Sequence, residues 1–247
     1  MRRWVLAALP IFFASSLALG QSREQGEVWA EINFAAGVPQ GAFDERLERD
    51  AYGLLGFLGG RVPGSPLVLG SEVGFLHYGT GSRLSLHRSP LDDGLTGDFA
   101  LPLEALNVAV TNNVLMGHLV LRLQPSRGVF LPYVDVVGGL RYFVTHIDVE
   151  SDVVIFRRGL DQDARVTDLA LSYGAGGGFE LVVHTWEDAW EGTARASVHA
   201  GLRYLFGTEA EYAASAAFEE IDGRILLDLA RSRTDMLVPV FGFRVRR

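Results

Sequence analysis

The stretch Leu131–Tyr142, which reads LPYVDVVGGLRY, decides the fold that this sequence predicts. Apolar and polar side chains alternate along it, so that Val134 and Val136 lie on one face and Asp135 and Arg141 on the other. Successive side chains of a β-strand point to opposite sides, so a period of two residues indicates a strand. The two adjacent glycines within the stretch suit the sharp curvature of a small barrel.

Segments of the same kind recur along the chain and predict eight strands. Helical periodicity is scarce, and the chain length suits one barrel domain. No long uncharged apolar run follows the N-terminal segment, so we expect no transmembrane helix in the mature chain. The predicted strands span residues 27–38, 50–61, 66–80, 104–124, 129–147, 166–185, 193–208 and 231–246.

The connections between these strands are alternately short and long. Tight turns are predicted at residues 61–65 and 125–128, and a somewhat longer one at 186–192. The long, charged connections span residues 39–49, 81–103, 148–165 and 209–230. This alternation is typical of an up-and-down barrel in an outer membrane, with short periplasmic turns and long external loops. The apolar spacing within residues 218–230 fits either a short helix or an extra hairpin in the last loop.

The composition excludes several classes of protein. The 247 residues carry a formal net charge of −8, and all 22 strongly basic residues are arginine, so we expect no general nucleic-acid binding. The absence of cysteine excludes disulfides, thiolate metal sites and a cysteine nucleophile. Apolar residues make up 48% of the chain, which is too many for a disordered protein.

The first part of the chain has the pattern of a secretory signal peptide. Two arginines precede an apolar run over residues 4–19, and Ala18–Gly20 forms a small-x-small cleavage signal. An N-terminal membrane anchor is the alternative, but Pro10 breaks the run, which is shorter than the roughly 20 residues of a spanning helix. Residues 1–20 are therefore predicted to be a signal peptide and residues 21–247 a single barrel domain.

The orientation of the strand faces decides between a membrane barrel and a soluble one. The apolar faces carry large aromatic and β-branched residues, while the opposite faces carry small residues and isolated charges, which fill a soluble core poorly. Aromatic residues near the predicted strand ends suggest interfacial girdles. These residues are Trp29, Tyr52, Tyr78, Tyr133, Phe143, Trp186, Trp190 and Tyr212. The predicted fold is an all-β, eight-stranded antiparallel up-and-down transmembrane β-barrel, and a secreted lipocalin-like carrier is the alternative.

Charged residues on the inferred inward faces form the candidate site. Side chains fill the interior of an eight-stranded barrel, where buried charges must pair or incur a large desolvation cost. The candidates are Glu31, Glu72, Arg122, Asp135, Arg141, Asp168, Glu180, Arg195, Arg203 and Arg244. Acids and arginines balance in this set, so we expect a structural ion-pair network that fills the lumen. A gated path for protons or ions is the alternative.

The layout resembles the small eight-stranded outer-membrane β-barrel proteins of Gram-negative bacteria, of the outer membrane protein A and X type. The residues that carry the resemblance include the segments 131–142 and 172–180, and the element Gly-Leu-Arg-Tyr at Gly139–Tyr142 and Gly201–Tyr204. The resemblance implies a bacterial outer-membrane location and insertion by the barrel-assembly machinery. Such barrels usually end in an aromatic residue, whereas here Phe243 lies four residues before the end.

Histidine and serine residues near the inferred lumen raise a further alternative. His118 and His199 lie on inward faces, and Ser197 shares the face of His199, so a lipid-modifying hydrolase of the Ser-His-acid type is not excluded. Serine and histidine two residues apart on a strand arise often by chance, and we expect no enzymatic activity. The histidine spacing fits no metal site, and no cofactor is expected.

The sequence therefore predicts an outer-membrane protein with a structural role, or a role in surface recognition through its external loops. A narrow channel for small solutes or ions is the main alternative, which the strand number disfavours, because water-filled porins have about sixteen strands. The expected partners are outer-membrane lipids and lipopolysaccharide together with the assembly machinery, and the expected state is a monomer.

Overall fold

Ten β-strands account for most of the described chain. The structure is a computed structural model, and it describes residues 27–47, 49–88, 103–151, 163–188, 192–221 and 224–247. The strands are β1 (Val28–Pro39), β2 (Ala51–Arg61), β3 (Leu67–Arg88), β4 (Leu103–Leu123), β5 (Phe130–Ser151), β6 (Asp163–Asp188), β7 (Gly192–Gly207), β8 (Glu209–Ile221), β9 (Arg224–Arg233) and β10 (Met236–Arg246). A 3-10 turn (Gly41–Phe43) and the short helix α1 (Asp44–Leu47) follow β1. No helix in these ranges is long and apolar enough to cross a membrane.

Eight of these strands form a closed antiparallel barrel, in the order β1-β10-β7-β6-β5-β4-β3-β2. The last barrel strand pairs with the first, with Ala30 opposite Val245 and Phe34 opposite Phe241. The backbone amide of Val28 donates to the carbonyl of Arg247 at 2.6 Å. Each of the eight barrel strands therefore has a paired neighbour on both sides. The predicted eight-stranded up-and-down barrel is confirmed, while the predicted signal peptide, residues 1–20, lies outside the described residues.

The last loop contains the clearest departure from the predicted strand bounds. β8 and β9 form a separate antiparallel hairpin, in which Glu209 lies opposite Arg233 and Tyr212 opposite Ala230. Of the two structures predicted for residues 218–230, a short helix or an extra hairpin, the hairpin is therefore correct. The eighth barrel strand was expected to start at residue 231, but β10 starts at Met236, because the residues before it pair with β8.

Side-chain burial alternates along the barrel strands, with the apolar face outward. In β1, Glu31 and Asn33 are buried, whereas Ile32 and Phe34 are 65% and 61% exposed. The predicted inward orientation of the polar faces therefore holds for this strand. In β2, whose faces the sequence left unassigned, the buried Leu55 shows that apolar side chains also enter the lumen.

The two ends of the barrel differ in what covers them. We call the end with the chain termini and the turn after β2 the turn end, and the opposite end the loop end. At the loop end, Phe43 of the 3-10 turn and Leu47 of α1 are buried together with Ala210 and Tyr212 of the hairpin. The first loop and the hairpin therefore cover the loop end of the lumen.

Glycines on the lumen side let neighbouring strands approach closely. A Cβ atom at Gly139 would overlap the carbonyl oxygen of Gly117 in β4, and one at Gly176 would overlap the carbonyl oxygen of Leu202 in β7. Gly138, one residue earlier and on the outward face, has open space around the same position. The inward glycines are thus required by packing, as expected for a barrel of few strands.

Candidate functional site

Arg203 joins two acids from different strands near the middle of the lumen. Its Nη1 atom donates to both carboxylate oxygens of Glu72 at 2.7 Å, and its Nη2 atom donates to Asp135 at 2.9 Å. Arg122 donates to the same Asp135 oxygen at 3.2 Å. All four side chains are buried, so these charges depend on one another for compensation.

A second set of contacts extends this cluster towards the turn end. Glu31 accepts hydrogen bonds from Arg122 and from Arg244, each at 2.7 Å. Arg244 also donates to Glu180, which accepts a 2.6 Å hydrogen bond from the Gln124 amide. We call the buried acids and arginines connected in this way, together with Gln124, the ion-pair network; at its turn end Arg246 also lies 3.5 Å from the partly exposed Glu27, which pairs with Arg61. The network consists of Glu31, Glu72, Arg122, Gln124, Asp135, Glu180, Arg203, Arg244 and Arg246.

The ion-pair network is balanced in charge. It contains four carboxylates and four guanidinium groups, because Arg246 lies 3.5 Å from the second oxygen of Glu180. Arg246 and Gln124 were absent from the predicted set. Arg246 lies two residues after Arg244, and Gln124 lies two residues after Arg122. The alternation of strand faces therefore marks both as inward-facing.

Aromatic rings pack against the guanidinium groups of the network. The guanidinium of Arg122 lies 4.3 Å from the ring centroid of Tyr133 and 5.4 Å from that of Phe57. Arg244 lies 4.7 Å from the ring centroid of Trp29. A cation over the face of an aromatic ring is attracted to it, so these rings stabilise the same guanidinium groups that pair with the acids.

The predicted aromatic girdles are wrong for five of the residues that were assigned to them. The buried ones line the lumen or its loop-end cover: Trp29, Tyr78, Tyr133, Phe143 and Tyr212. Tyr52 and Trp186 are exposed as a girdle requires, and Trp190 lies outside the described residues. The reason is that odd-numbered positions of β1 and β5 and even-numbered positions of β3 face inward, so aromatic residues at those positions fill the interior. Tyr212 belongs to the hairpin that covers the loop end.

Three of the ten predicted lumen residues lie apart from the network. Asp168 accepts a hydrogen bond from the backbone amide of Glu211 at 2.7 Å, and so holds the hairpin at the loop end. Arg195 donates to the carbonyl of Ser126 at 3.3 Å at the exposed turn end. For these two, an inward position on the strand does not place the side chain at the depth of the network. Arg141 is buried but forms no ion pair among the described residues.

Arg141 lies in a different environment, below an aromatic cluster at the loop end. Phe43 contacts Tyr78, Phe143 and Tyr212, with ring centroids 5.8, 6.0 and 5.1 Å apart and near-perpendicular rings. Edge-to-face packing of this kind is favourable for aromatic pairs. Because Phe43 comes from the first loop and Tyr212 from the hairpin, the cluster forms only when both loops fold onto the barrel.

Ser172, His118 and Glu72 form a contact chain that sequence reasoning missed. His118 Nε2 lies 3.0 Å from the Ser172 hydroxyl, and His118 Nδ1 lies 3.8 Å from Glu72. The order of groups matches a Ser-His-acid triad. However, all three side chains are buried, and both oxygens of Glu72 are engaged by Arg203. Glu72 is therefore held by Arg203 as well as lying near His118.

The pair that the sequence suggested for hydrolysis is not joined. Ser197 donates to the backbone carbonyl of Arg244 at 3.5 Å, and His199 Nε2 lies 3.5 Å from Glu31. Neither ring nitrogen of His199 has a hydrogen-bond partner. Within the described ranges, no three histidine or acidic side chains are grouped so as to hold a metal ion.

Comparisons with known proteins give matches among solved structures. No protein-family model matches the chain, and no curated protein matches it significantly. Neisserial surface protein A is 10% identical, with a TM-score of 0.39 over 90% of this chain and 95% of that one. Ail, the attachment invasion locus protein of Yersinia pestis, is 12% identical, with a TM-score of 0.37 over 90% and 99%. A major outer membrane protein of Thermus thermophilus is 16% identical, with a TM-score of 0.40 over 89% and 99%. The similarity concerns the small β-barrel fold alone.

Proposed function

We propose that this protein is an integral outer-membrane β-barrel with a filled lumen, which acts through its loop end as a structural or surface-recognition protein. The observation that carries the proposal is the outward apolar face of the closed barrel. Ile32, Leu171 and Phe243, on three different strands, are each more than half exposed. In water such a surface would far exceed the apolar patches of soluble monomers, whereas in hydrocarbon it is favourable.

The backbone of the barrel also suits a lipid environment. Each of the eight barrel strands pairs with a neighbour on both sides, so the ladder satisfies the backbone polar groups within the protein. Only helices and closed barrels meet this condition in a bilayer. The alternative of a secreted lipocalin-like carrier needs an apolar cavity inside. In this barrel the interior holds the ion-pair network, so a lipophilic ligand would face buried charges.

The filled lumen supports a barrel without an open pore. Arg122, Arg203 and Arg244 reach across it to acids on other strands, and the rings of Phe57 and Tyr133 lie against them. Opening a water-filled path would require several of these buried contacts to break together. A narrow channel is therefore the less favoured function.

The loop end offers the surface for recognition. The hairpin of β8 and β9 stands beyond the barrel and carries opposite charges on its exposed side, where Arg231 lies 3.4 Å from Glu209. Lipopolysaccharide is the expected neighbour of such a surface in an outer membrane. We propose that it and the membrane lipids are the principal partners, and that the barrel-assembly machinery inserts the chain.

Cell fractionation with a gel assay tests the proposal directly. We expect the protein in the outer-membrane fraction, with faster migration before boiling than after it, because a closed barrel resists the detergent until heated. Recovery as a soluble protein without this shift would refute membrane insertion and favour the carrier.

Conductance of the purified, refolded protein in a planar bilayer tests the filled lumen separately. We expect no stable channels. Regular, ion-selective conductance that changes in an Arg141→Ala variant would contradict a filled lumen and support the channel instead.

A further inference from the structure

The guanidinium of Arg141 is a buried cation without a paired acid. Its Nη1 atom donates to the backbone carbonyl of Thr234 at 2.6 Å, while Nε and Nη2 have no hydrogen-bond partner. No ion pair joins it to any described carboxylate within 4.0 Å. Asp235 is engaged elsewhere, because its Oδ1 atom accepts a hydrogen bond from the Gly207 amide at 2.9 Å and lies 3.5 Å from Arg233 Nη2.

The ion-pair network cannot supply the missing negative charge. Its four carboxylates are matched by its own four arginines, and every carboxylate contacts at least one of them. Arginine does not lose its proton inside proteins, so Arg141 cannot become neutral instead. A buried charge without a partner is costly, which makes a bound anion the natural complement.

A second unpartnered donor lies in the same part of the lumen. The Tyr78 hydroxyl is buried and has no hydrogen-bond partner, and the Tyr78 ring contacts Phe43, as does the ring of Phe143, two residues along β5 from Arg141. A tyrosine hydroxyl can donate to an anion just as a guanidinium can. Arg141 Nε, Arg141 Nη2 and Tyr78 Oη are thus three buried donors without a partner in the loop-end half of the lumen.

The surroundings favour a small, desolvated ligand. Leu76, Leu205 and Met236 are buried in this half of the barrel, and Phe43 covers it from the loop end. A Cβ atom at Gly207 would overlap Arg141 Nη2, so the backbone already lies against one side of the guanidinium. An apolar shell of this kind strengthens the attraction between opposite charges.

We propose that Arg141 and Tyr78 form a binding site for a small inorganic anion of halide size beneath the loop-end aromatic cluster. The anion would neutralise Arg141, which among the described residues is the one buried arginine outside the ion-pair network. This function is separate from membrane insertion, because the network and the outward apolar face do not depend on it.

Equilibrium dialysis with radioactive chloride tests the site in the refolded, detergent-solubilised protein. We expect a single chloride to be retained per barrel by the unaltered chain and by Arg127→Met, which removes an exposed arginine at the turn end. We expect the chloride affinity of Arg141→Met to be lower by at least about tenfold, since the substitution removes a charged donor. No retention by the unaltered chain, or equal retention by Arg141→Met, would overturn the proposal.

A milder variant guards against a failure of Arg141→Met to fold. Tyr78→Phe removes only the hydroxyl, and we expect it to weaken chloride binding about threefold to tenfold while the heat-dependent gel shift stays intact. Chloride affinity unchanged in Tyr78→Phe would contradict the assigned donor set. Because the gel shift reports the folded barrel independently, failure of the anion site and failure of the membrane barrel are distinguishable.

Discussion

The two halves of the lumen solve the problem of filling a narrow barrel in different ways. The half nearer the turn end contains the ion-pair network, in which arginines such as Arg122 and Arg244 connect acids from different strands. The half nearer the loop end contains apolar and aromatic side chains around Arg141, and part of that filling comes from outside the barrel, as with Phe43.

The difference shows what each kind of filling depends on. The network is built entirely from barrel strands and the residue that follows β4, so strand register alone brings its partners together. The aromatic cluster needs the first loop and the β8–β9 hairpin to fold over the opening. We therefore expect changes in the network to affect the whole barrel, and changes in the cluster to affect mainly the loop end.

Removing Arg203 is expected to have the largest effect. Arg203→Met would leave Glu72 without an arginine and Asp135 with only one, which should lower the free energy of unfolding by about 3–5 kcal/mol or prevent folding. Urea unfolding in detergent micelles measures this, with Arg127→Met as the matched control. A loss in Arg203→Met no larger than in the control would show that the network does not hold the barrel together.

Removing the central ring of the aromatic cluster is expected to act more locally. Phe43→Ala deletes three ring contacts, and a buried Phe→Ala change costs about 3 kcal/mol or more. We expect faster proteolysis within residues 41–47 and a smaller change in the urea midpoint than for Arg203→Met. If Phe43→Ala and Arg203→Met changed the proteolysis rate and the urea midpoint equally, the two halves of the lumen would not differ in the way described.

A pair of neighbouring glycines tests the boundary between the halves. Gly139→Ala would force a Cβ atom into the backbone of Gly117, at a cost of about 1–3 kcal/mol, whereas Gly138→Ala points into open space. We therefore expect a lower urea midpoint for Gly139→Ala than for Gly138→Ala. A Gly139→Ala variant as stable as Gly138→Ala would show that the strands can separate there without loss.

The smallest expected effect concerns the hairpin. The Tyr212 hydroxyl lies 2.6 Å from the Ser232 hydroxyl on the paired strand, and Tyr212→Phe keeps the ring but removes this bond, at about 0.5–1.5 kcal/mol. A double-mutant cycle with Ser232→Ala, followed by hydrogen exchange of β8 and β9, measures the coupling. Additive effects of the two changes would show that the contact does not hold the hairpin.

Most of the barrel follows from alternation and loop length, but the depth of a side chain does not. The parity that placed Glu31, Glu72 and Arg203 inside also placed Asp168 and Arg195 inside, yet these two lie near opposite ends. Axial position depends on strand register and on tilt, which a period of two residues does not report. For the same reason the sequence did not separate Arg141 from the network.

Irregularities of the backbone account for other differences. His184 shares sequence parity with Glu180, but a bulge between Val182 and His184 turns it outward, where it stacks on Trp186. A bulge reverses the faces of the residues after it, and the local composition does not predict the bulge at this position. The aromatic residues inside the lumen were misplaced for a different reason, since their size suggested an interface while their parity indicated the interior.

The separation along the chain between paired charges has a consequence for the order of folding. The Arg244–Glu31 pair joins residues 213 positions apart, Arg203–Glu72 joins residues 131 apart, and Arg122–Glu31 joins residues 91 apart. None of these three pairs can form within a hairpin, whereas Arg122 and Asp135, 13 positions apart, lie opposite each other on the adjacent strands β4 and β5. Folding with such high contact order is slow, because the entropy cost of closing the loop comes before the contacts that stabilise the closed state. We therefore expect the closure of β1 against β10 to be a late step of folding, which buries Glu31 and Arg244 together.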